Sequence, residues 1–172
     1  ISDYFEKKRE QLADKVYAPR KIISKQASLI YLKKIYTINS PFVSFNAERY
    51  KNIKKPFKEK IILFVGTLNR VKGFDLLVNA FSKVFEEHKN VSLIISGRNE
   101  TVGDRINSIN YLMEKCSKYK SRIKYLGVLP QKKIFNLYSI AEAIIIPSRL
   151  DNYPNVMLES IQFNKPIIGF AK

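Results

Sequence analysis

The chain has one cysteine, one histidine, no tryptophan and six glycines among 172 residues. A single thiol, Cys116, cannot form an internal disulfide or a cysteine metal cluster, which suits a reducing compartment such as the cytoplasm. Cys116 follows Ile106, Ile109 and Met113 at helical spacing and reads as a core residue rather than a nucleophile. The lone His88 stands just beyond the acidic pair Glu86 and Glu87, at the end of a helical stretch, so it is expected on the surface. No metal site can be assembled from cysteine and histidine. There is no apolar run near the ~18 to 20 residues that span a bilayer, and nothing at the N-terminus has the form of a signal peptide. The expectation is a soluble or peripheral protein.

Acidic residues are also scarce: 15 Asp plus Glu against 31 Lys plus Arg, a net charge of +16. Such a balance attracts phosphate, whether in nucleic acid, in anionic lipid headgroups or on a small ligand. A compositional bias toward Lys, Ile, Asn and Tyr explains many surface lysines equally well. A nucleic-acid-binding module finds no support in motif, because there is no aromatic RNP sequence, helix-turn-helix cue or zinc spacing. Hydrophobic residues make up 45% of the chain, enough to bury a core.

From residue 61 onward, short apolar runs alternate with segments of helical period. Ile61 to Val65, Val91 to Ile95, Ile123 to Leu126 and Ala143 to Ile146 read as buried strands. Phe74, Leu77, Val78, Phe81, Val84 and Phe85 line one helix face, Gly103 to Lys118 reads as a longer helix, and Ile134, Leu137 and Tyr138 mark a short one. A last helix runs to Phe163, Asn164 fits the left-handed residue that ends it, and Pro166 opens a fifth strand. The pattern predicts an α/β fold, a doubly wound parallel sheet with ligands at the carboxyl ends of its strands.

The loops at those ends are therefore where chemistry is expected. The first, Gly66, Thr67, Leu68, Asn69, Arg70, Val71, Lys72, Gly73, feeds straight into a helix. It resembles an anion cradle, in which unpaired N–H groups of a helix N-terminus act beside Arg70 and Lys72. It is neither a Walker A loop nor Gly-x-Gly-x-x-Gly, and a solvated basic loop is the competing reading. The fourth loop starts at Pro147, Ser148 and carries Asp151, with Glu159 on the helix beyond it. Both carboxylates could face one cleft. On spacing alone the other reading is favoured, in which Asp151 or Asn152 caps the helix and Glu159 pairs with a surface lysine.

Taken together, Gly66, Leu68, Lys72 and Gly73, then Pro147, Ser148 and Glu159, then Pro166, fall in the order of the motifs Gly-Arg-Leu-x-x-x-Lys-Gly, Pro-Ser-x-x-Glu-x7-Glu and Gly-x-Pro. Across about 110 residues this resembles family 4 of the retaining glycosyltransferases, of the GT-B fold. The resemblance implies that 61–172 is a nucleotide-sugar-binding domain, incomplete at its C-terminus, with 42–60 a linker and 1–41 the remnant of an acceptor domain. In that remnant Ala13 to Arg20 would be a strand, Lys21 to Leu32 a helix and Ile35 to Pro41 extended. Both ends are read as truncations, so the piece alone is expected to bind donor weakly and to be inactive.

The resemblance further implies roles. Lys72, with backbone N–H groups of the loop at Gly66, would meet the donor diphosphate; Thr67 stands where the family has Arg, and Arg70 would substitute for it. Glu159 would accept hydrogen bonds from the ribose, and Asp151 would lie near the donor sugar, one methylene shorter than the family's Glu. Asn152, Tyr153, Asn155 and Val156 would bind sugar or phosphate through backbone groups, and Val128 and Leu129 would lie against the base. No cofactor or metal is implied. The partners would be a nucleotide-diphosphate sugar and a saccharide or lipid-linked acceptor, as in surface polysaccharide or glycolipid synthesis, with no nucleic acid; the basic surface would suit peripheral contact with an anionic membrane on its cytoplasmic side. A nucleotide-binding pseudoenzyme is the further alternative, prompted by Thr67 and Asp151.

Overall fold

The computed structural model describes residues 16–18, 35–37, 42, 44–50, 58–102, 106–151 and 154–169. The chain divides into two units, Ile1–Val43 with Asn152–Pro154, and Ser44–Asp151 with Asn155–Lys172. In the first, β1 (Val16–Ala18) pairs in parallel with β2 (Ile35–Thr37). The helix expected between them lies outside the described residues.

The second unit is built on β3 (Lys60–Val65), β4 (Val91–Ser96), β7 (Ile123–Tyr125), β8 (Ala143–Ile146) and β9 (Ile167–Gly169). They form one parallel sheet in the order β7-β4-β3-β8-β9. The chain starts at the centre, winds outward through β4 to β7, returns beside β3 as β8 and continues to β9. The strand order therefore reverses between β3 and β8, the position at which doubly wound sheets open a crevice.

Both faces of this sheet are apolar, and side chains alternate between two cores as the pleat requires. Phe64, Leu93, Ile95 and Ile145 point into one core, with Phe74, Leu77, Val78, Phe81 and Phe85 of α1 (Phe74–Glu87) and Leu112 of α2 (Ser108–Lys115). Ile61, Leu63, Ile94 and Ile144 point into the other, with Ile134, Phe135 and Tyr138 of α3 (Gln131–Ile140). Val156 of α4 (Asn155–Gln162) and Phe163 pack on this second core. Helices thus cover each face. Cys116 is fully buried, and His88 is exposed at the end of α1.

Two local features depart from the periodicity. The helix expected over Gly103 to Lys118 is shorter at both ends: a two-stranded antiparallel ribbon, β5 (Thr101–Val102) and β6 (Ile106–Asn107), precedes it, and a 3-10 stretch, Ser117–Arg122, follows. The start is set by Asn107, whose side chain accepts from Asn110 N and caps α2. Within the stretch read as a linker, the short 3-10 helix Ala47–Tyr50 and the residue pair Phe45 and Tyr50 pack on the second core; Phe45 stacks on Phe135 with centroids 4.0 Å apart. Asn164 has φ 53, the left-handed geometry expected after the last helix.

The far end of α1 is closed by Arg122, whose guanidinium donates to the carbonyls of Phe85 and His88 and lies against the rings of Phe85 and Tyr119. Carbonyls at a helix C-terminus lack partners within the helix, and a cation there meets both the free acceptors and the dipole. Among the described residues no helix is long and apolar enough to cross a membrane.

Candidate functional site

The loop after β3 is shaped by its own side chains. Asn69 Oδ1 accepts from Lys72 N at 2.9 Å, Asn69 Nδ2 donates to Glu100 Oε2 at 2.8 Å, and the Asn69 carbonyl accepts from Phe74 N at 3.0 Å. Leu68, fully buried, is held by Arg98 O and by the hydroxyl of Ser108, which donates to Leu68 O at 2.6 Å. These bonds turn the chain tightly into α1. Gly73, which precedes the helix, has φ 69, and a Cβ there would lie 1.8 Å from Pro147 O. The two loops at the strand-order reversal touch backbone to backbone, and only glycine fits between them.

Of the N–H groups leading into α1, Gly73 N donates to Arg70 O, Phe74 N to Asn69 O and Lys72 N to Asn69 Oδ1, so these three are taken within the loop itself.

Lys72 Nζ stands 2.6 Å from Asp151 Oδ2, and Ser148 Oγ donates to the same oxygen at 3.4 Å. The pair is only partly covered, with side-chain exposures of 34% and 20%. A ligand phosphate can thus compete with Asp151 for the ammonium group. Beside it, Arg149 fastens the two loops: its N donates to Val71 O, its Nη1 to Arg70 O at 2.7 Å, and its two Nη groups to the Asp75 carboxylate at 2.6 and 2.8 Å. Burial tends to raise the Asp75 pKa, but the bidentate bond and charge of Arg149, with the backbone donors, hold it below its ordinary value. Arg70 itself is exposed and does not line the cleft described next.

That cleft, about 360 Å³, lies over the ends of β3, β4 and β7 and is lined by Gly66, Thr67, Gly97, Arg98, Val128 and Leu129, with Val65, Ser96 and Ile134. Its floor is stitched by Gly66 N to Ser96 O and Gly97 N to Gly127 O, each 2.9 Å. Gly97 has φ 146, and a Cβ on it would lie 1.9 Å from Gly66 O. Val128 is 73% exposed, a hydrophobic side chain presented to solvent at the rim. Arg98, which no motif singles out, adds a cation to the cleft.

Glu159 sits on α4, where Tyr138 Oη donates to its Oε2 at 2.8 Å. Burial raises its pKa, and the bond from Tyr138 only partly offsets that. The partner found for Glu159 is a buried phenol rather than the lysine read from spacing, and Asp151 meets Lys72. Asn155, exposed, and Val156, half-buried, form the first turn of α4, whereas Asn152 and Tyr153 lie outside the described residues. The structure thus gathers Gly66, Thr67, Val128 and Leu129 on one cleft and joins Lys72 to Asp151. Among the described residues no three of His, Cys, Asp and Glu converge as metal ligands.

Solved structures share this architecture. The chain is similar to S. aureus TarM in complex with fondaparinux, alpha-GlcNAc-glycerol and UDP, with TM-score 0.67 and 19% identity over 98% of this chain and 32% of that one. Among curated proteins it is 32% identical over 112 residues, 64% of its length, to an uncharacterised glycosyltransferase of Methanocaldococcus jannaschii. It is 26% identical over 117 residues, 66% of its length, to the D-inositol 3-phosphate glycosyltransferase of Corynebacterium jeikeium. It spans 27% and 28% of those two proteins. With a parallel sheet of GT-B type, two loops locked together at its reversal point, and residues 46–172 matching the family described as Glycosyl transferases group 1, the chain belongs to that family.

Proposed function

We propose that this chain forms the donor-binding half of a retaining, family 4 glycosyltransferase, which moves a sugar from a nucleotide-diphosphate donor to a saccharide or lipid-linked acceptor. The observation that carries the reading is the meeting of Lys72 and Asp151 at the point where the strand order reverses. Breaking a glycosyl–diphosphate bond leaves negative charge on the departing phosphates, and a preorganised cation lowers that barrier. Lys72 supplies it once the diphosphate replaces Asp151 as its partner, and Asp151 is then released toward the donor sugar. The base lies in the cleft against Val128 and Leu129, where apolar side chains and backbone groups meet. Glu159 accepts from the ribose hydroxyls, the role an acidic residue plays in dinucleotide folds. The UDP in the similar TarM complex supports a nucleotide ligand for this fold.

The test is a thermal-shift and NMR titration of the full-length protein with UDP, GDP, ADP and their common sugar conjugates. Saturable binding of one nucleotide, lost in Lys72→Ala, is the expected result. A folded protein that binds none of them overturns the reading.

A further inference from the structure

Tyr138 falls on the apolar stripe of α3 and is 0% exposed, packed among Ile61, Leu63, Ile134 and Ile144. A phenylalanine would fill that space as well. The hydroxyl, taken out of water, requires an acceptor, and it finds Glu159 Oε2 at 2.8 Å. The ring is held in turn by Phe163, stacked with centroids 5.4 Å apart and an interplanar angle of 20°. An ionised carboxylate has about four lone-pair sites. With one taken by a donor fixed in the core, the remaining ones face a restricted set of directions rather than sweeping through solvent.

We infer that Tyr138 is a positioning residue that aims the Glu159 carboxylate at the vicinal hydroxyls of a ribose and so sets the preference for ribonucleotides over deoxyribonucleotides. The inference rests on the reading of Glu159 as the ribose acceptor. Discrimination by a hydrogen bond depends on an acceptor that is left unpaired when the hydroxyl is missing. A carboxylate held by a donor on a buried ring cannot swing away to recover the loss, whereas a free one can.

The experiment compares full-length wild type, Tyr138→Phe, Phe163→Leu and Glu159→Gln by calorimetric titration with UDP, GDP and ADP and with their 2′-deoxy counterparts. The readout is the ratio of the two affinities, which a merely structural loss of packing would not move. Wild type is expected to favour the ribonucleotide by about tenfold, the scale of one hydrogen bond to a charged group. Tyr138→Phe should cut that ratio several-fold by weakening only the ribonucleotide, and Phe163→Leu, which loosens the ring that carries the donor, should cut it less. If Tyr138→Phe fails to fold, Phe163→Leu carries the test, and an unchanged ratio overturns the inference. An unchanged ratio in a folded Tyr138→Phe does the same. If Glu159→Gln keeps the wild-type ratio, or wild type binds none of the nucleotides or shows no preference, the reading of Glu159 itself is wrong and the inference falls with it.

Discussion

Lys72 Nζ and Asp151 Oδ2, 79 residues apart in the chain, lie 2.6 Å from one another and close the gap between the loops that follow β3 and β8. The contact has a double character. It holds the two loops together, and under the proposed function it occupies the cation that the donor diphosphate would take. Asp151→Asn should therefore bind free nucleoside diphosphate several-fold more tightly than wild type, while losing transfer. Because the pair is partly exposed, the cost in stability should stay under about 1 kcal/mol. Calorimetry with the diphosphate and with the matching monophosphate checks this, since only the former should gain.

Arg149 and Asp75 form a bidentate pair that ties the second loop to the first turn of α1. The folded pKa of Asp75 lies below its ordinary value of 3.8. Its contribution is therefore present above that value and is lost as the pH falls through the lowered one. Asp75→Asn should destabilise by roughly 0.5 to 1 kcal/mol at pH 6, with the difference from wild type shrinking toward pH 3. Urea melts of both proteins across that range are the measurement.

For Glu159 the sign is opposite. Burial raises its pKa above 4.5, so the folded protein holds the proton more tightly than the unfolded chain, and stability falls as the pH rises from 4.5 through the raised value. Glu159→Gln should accordingly melt higher than wild type near pH 7 and equally below pH 4. Nucleotide affinity should move the other way, declining on acidification as the acceptor is protonated. Melting curves and titrations at several pH values separate the two.

Gly73→Ala and Gly127→Ala form a matched comparison. Both glycines have positive φ, 69 and 66, but a Cβ at Gly73 meets Pro147 O at 1.8 Å, whereas one at Gly127 meets nothing within 4 Å. The backbone cost alone is about 1 kcal/mol, so Gly127→Ala should lose that much. Gly73→Ala should lose on the order of 3 kcal/mol or more, and should open the two loops and abolish nucleotide binding. Chemical denaturation of the pair, followed by titration of whatever folds, tests both parts.

The sheet was legible because its strands are apolar on both faces and its helices carry a regular stripe; Ile61 to Val65 and Phe74 to Phe85 needed nothing else. The helix over Gly103 to Lys118 comes out too long because Ile106 keeps helical spacing with Ile109 and Met113 while in fact lying in a ribbon, and the cap that decides the matter, Asn107, is a side-chain event. Lys72 and Asp151 were readable through motif order, but their contact was not, since spacing carries no information about which loops meet. Arg149, Asp75 and Tyr138 were missed for different reasons. Tyr138 is disguised by its place on an apolar stripe, and Arg149 looks like one more basic residue in a basic chain. An acid in the first turn of a helix that opens on Gly73 was the one available hint for Asp75.

Helix α1 is fastened at its far end by Arg122 and at its near end by Arg149, both supplied by later parts of the sequence. A ribosome that has delivered β3 and α1 has therefore not yet delivered either fastening. The loop from Gly66 to Gly73 finds its first partners at Ser96, Arg98, Glu100 and Ser108, and only its contacts with Arg149 and Asp151 wait for the later loop, so a nascent chain stalled before residue 149 holds every residue that lines the cleft but lacks the clasp between the two loops.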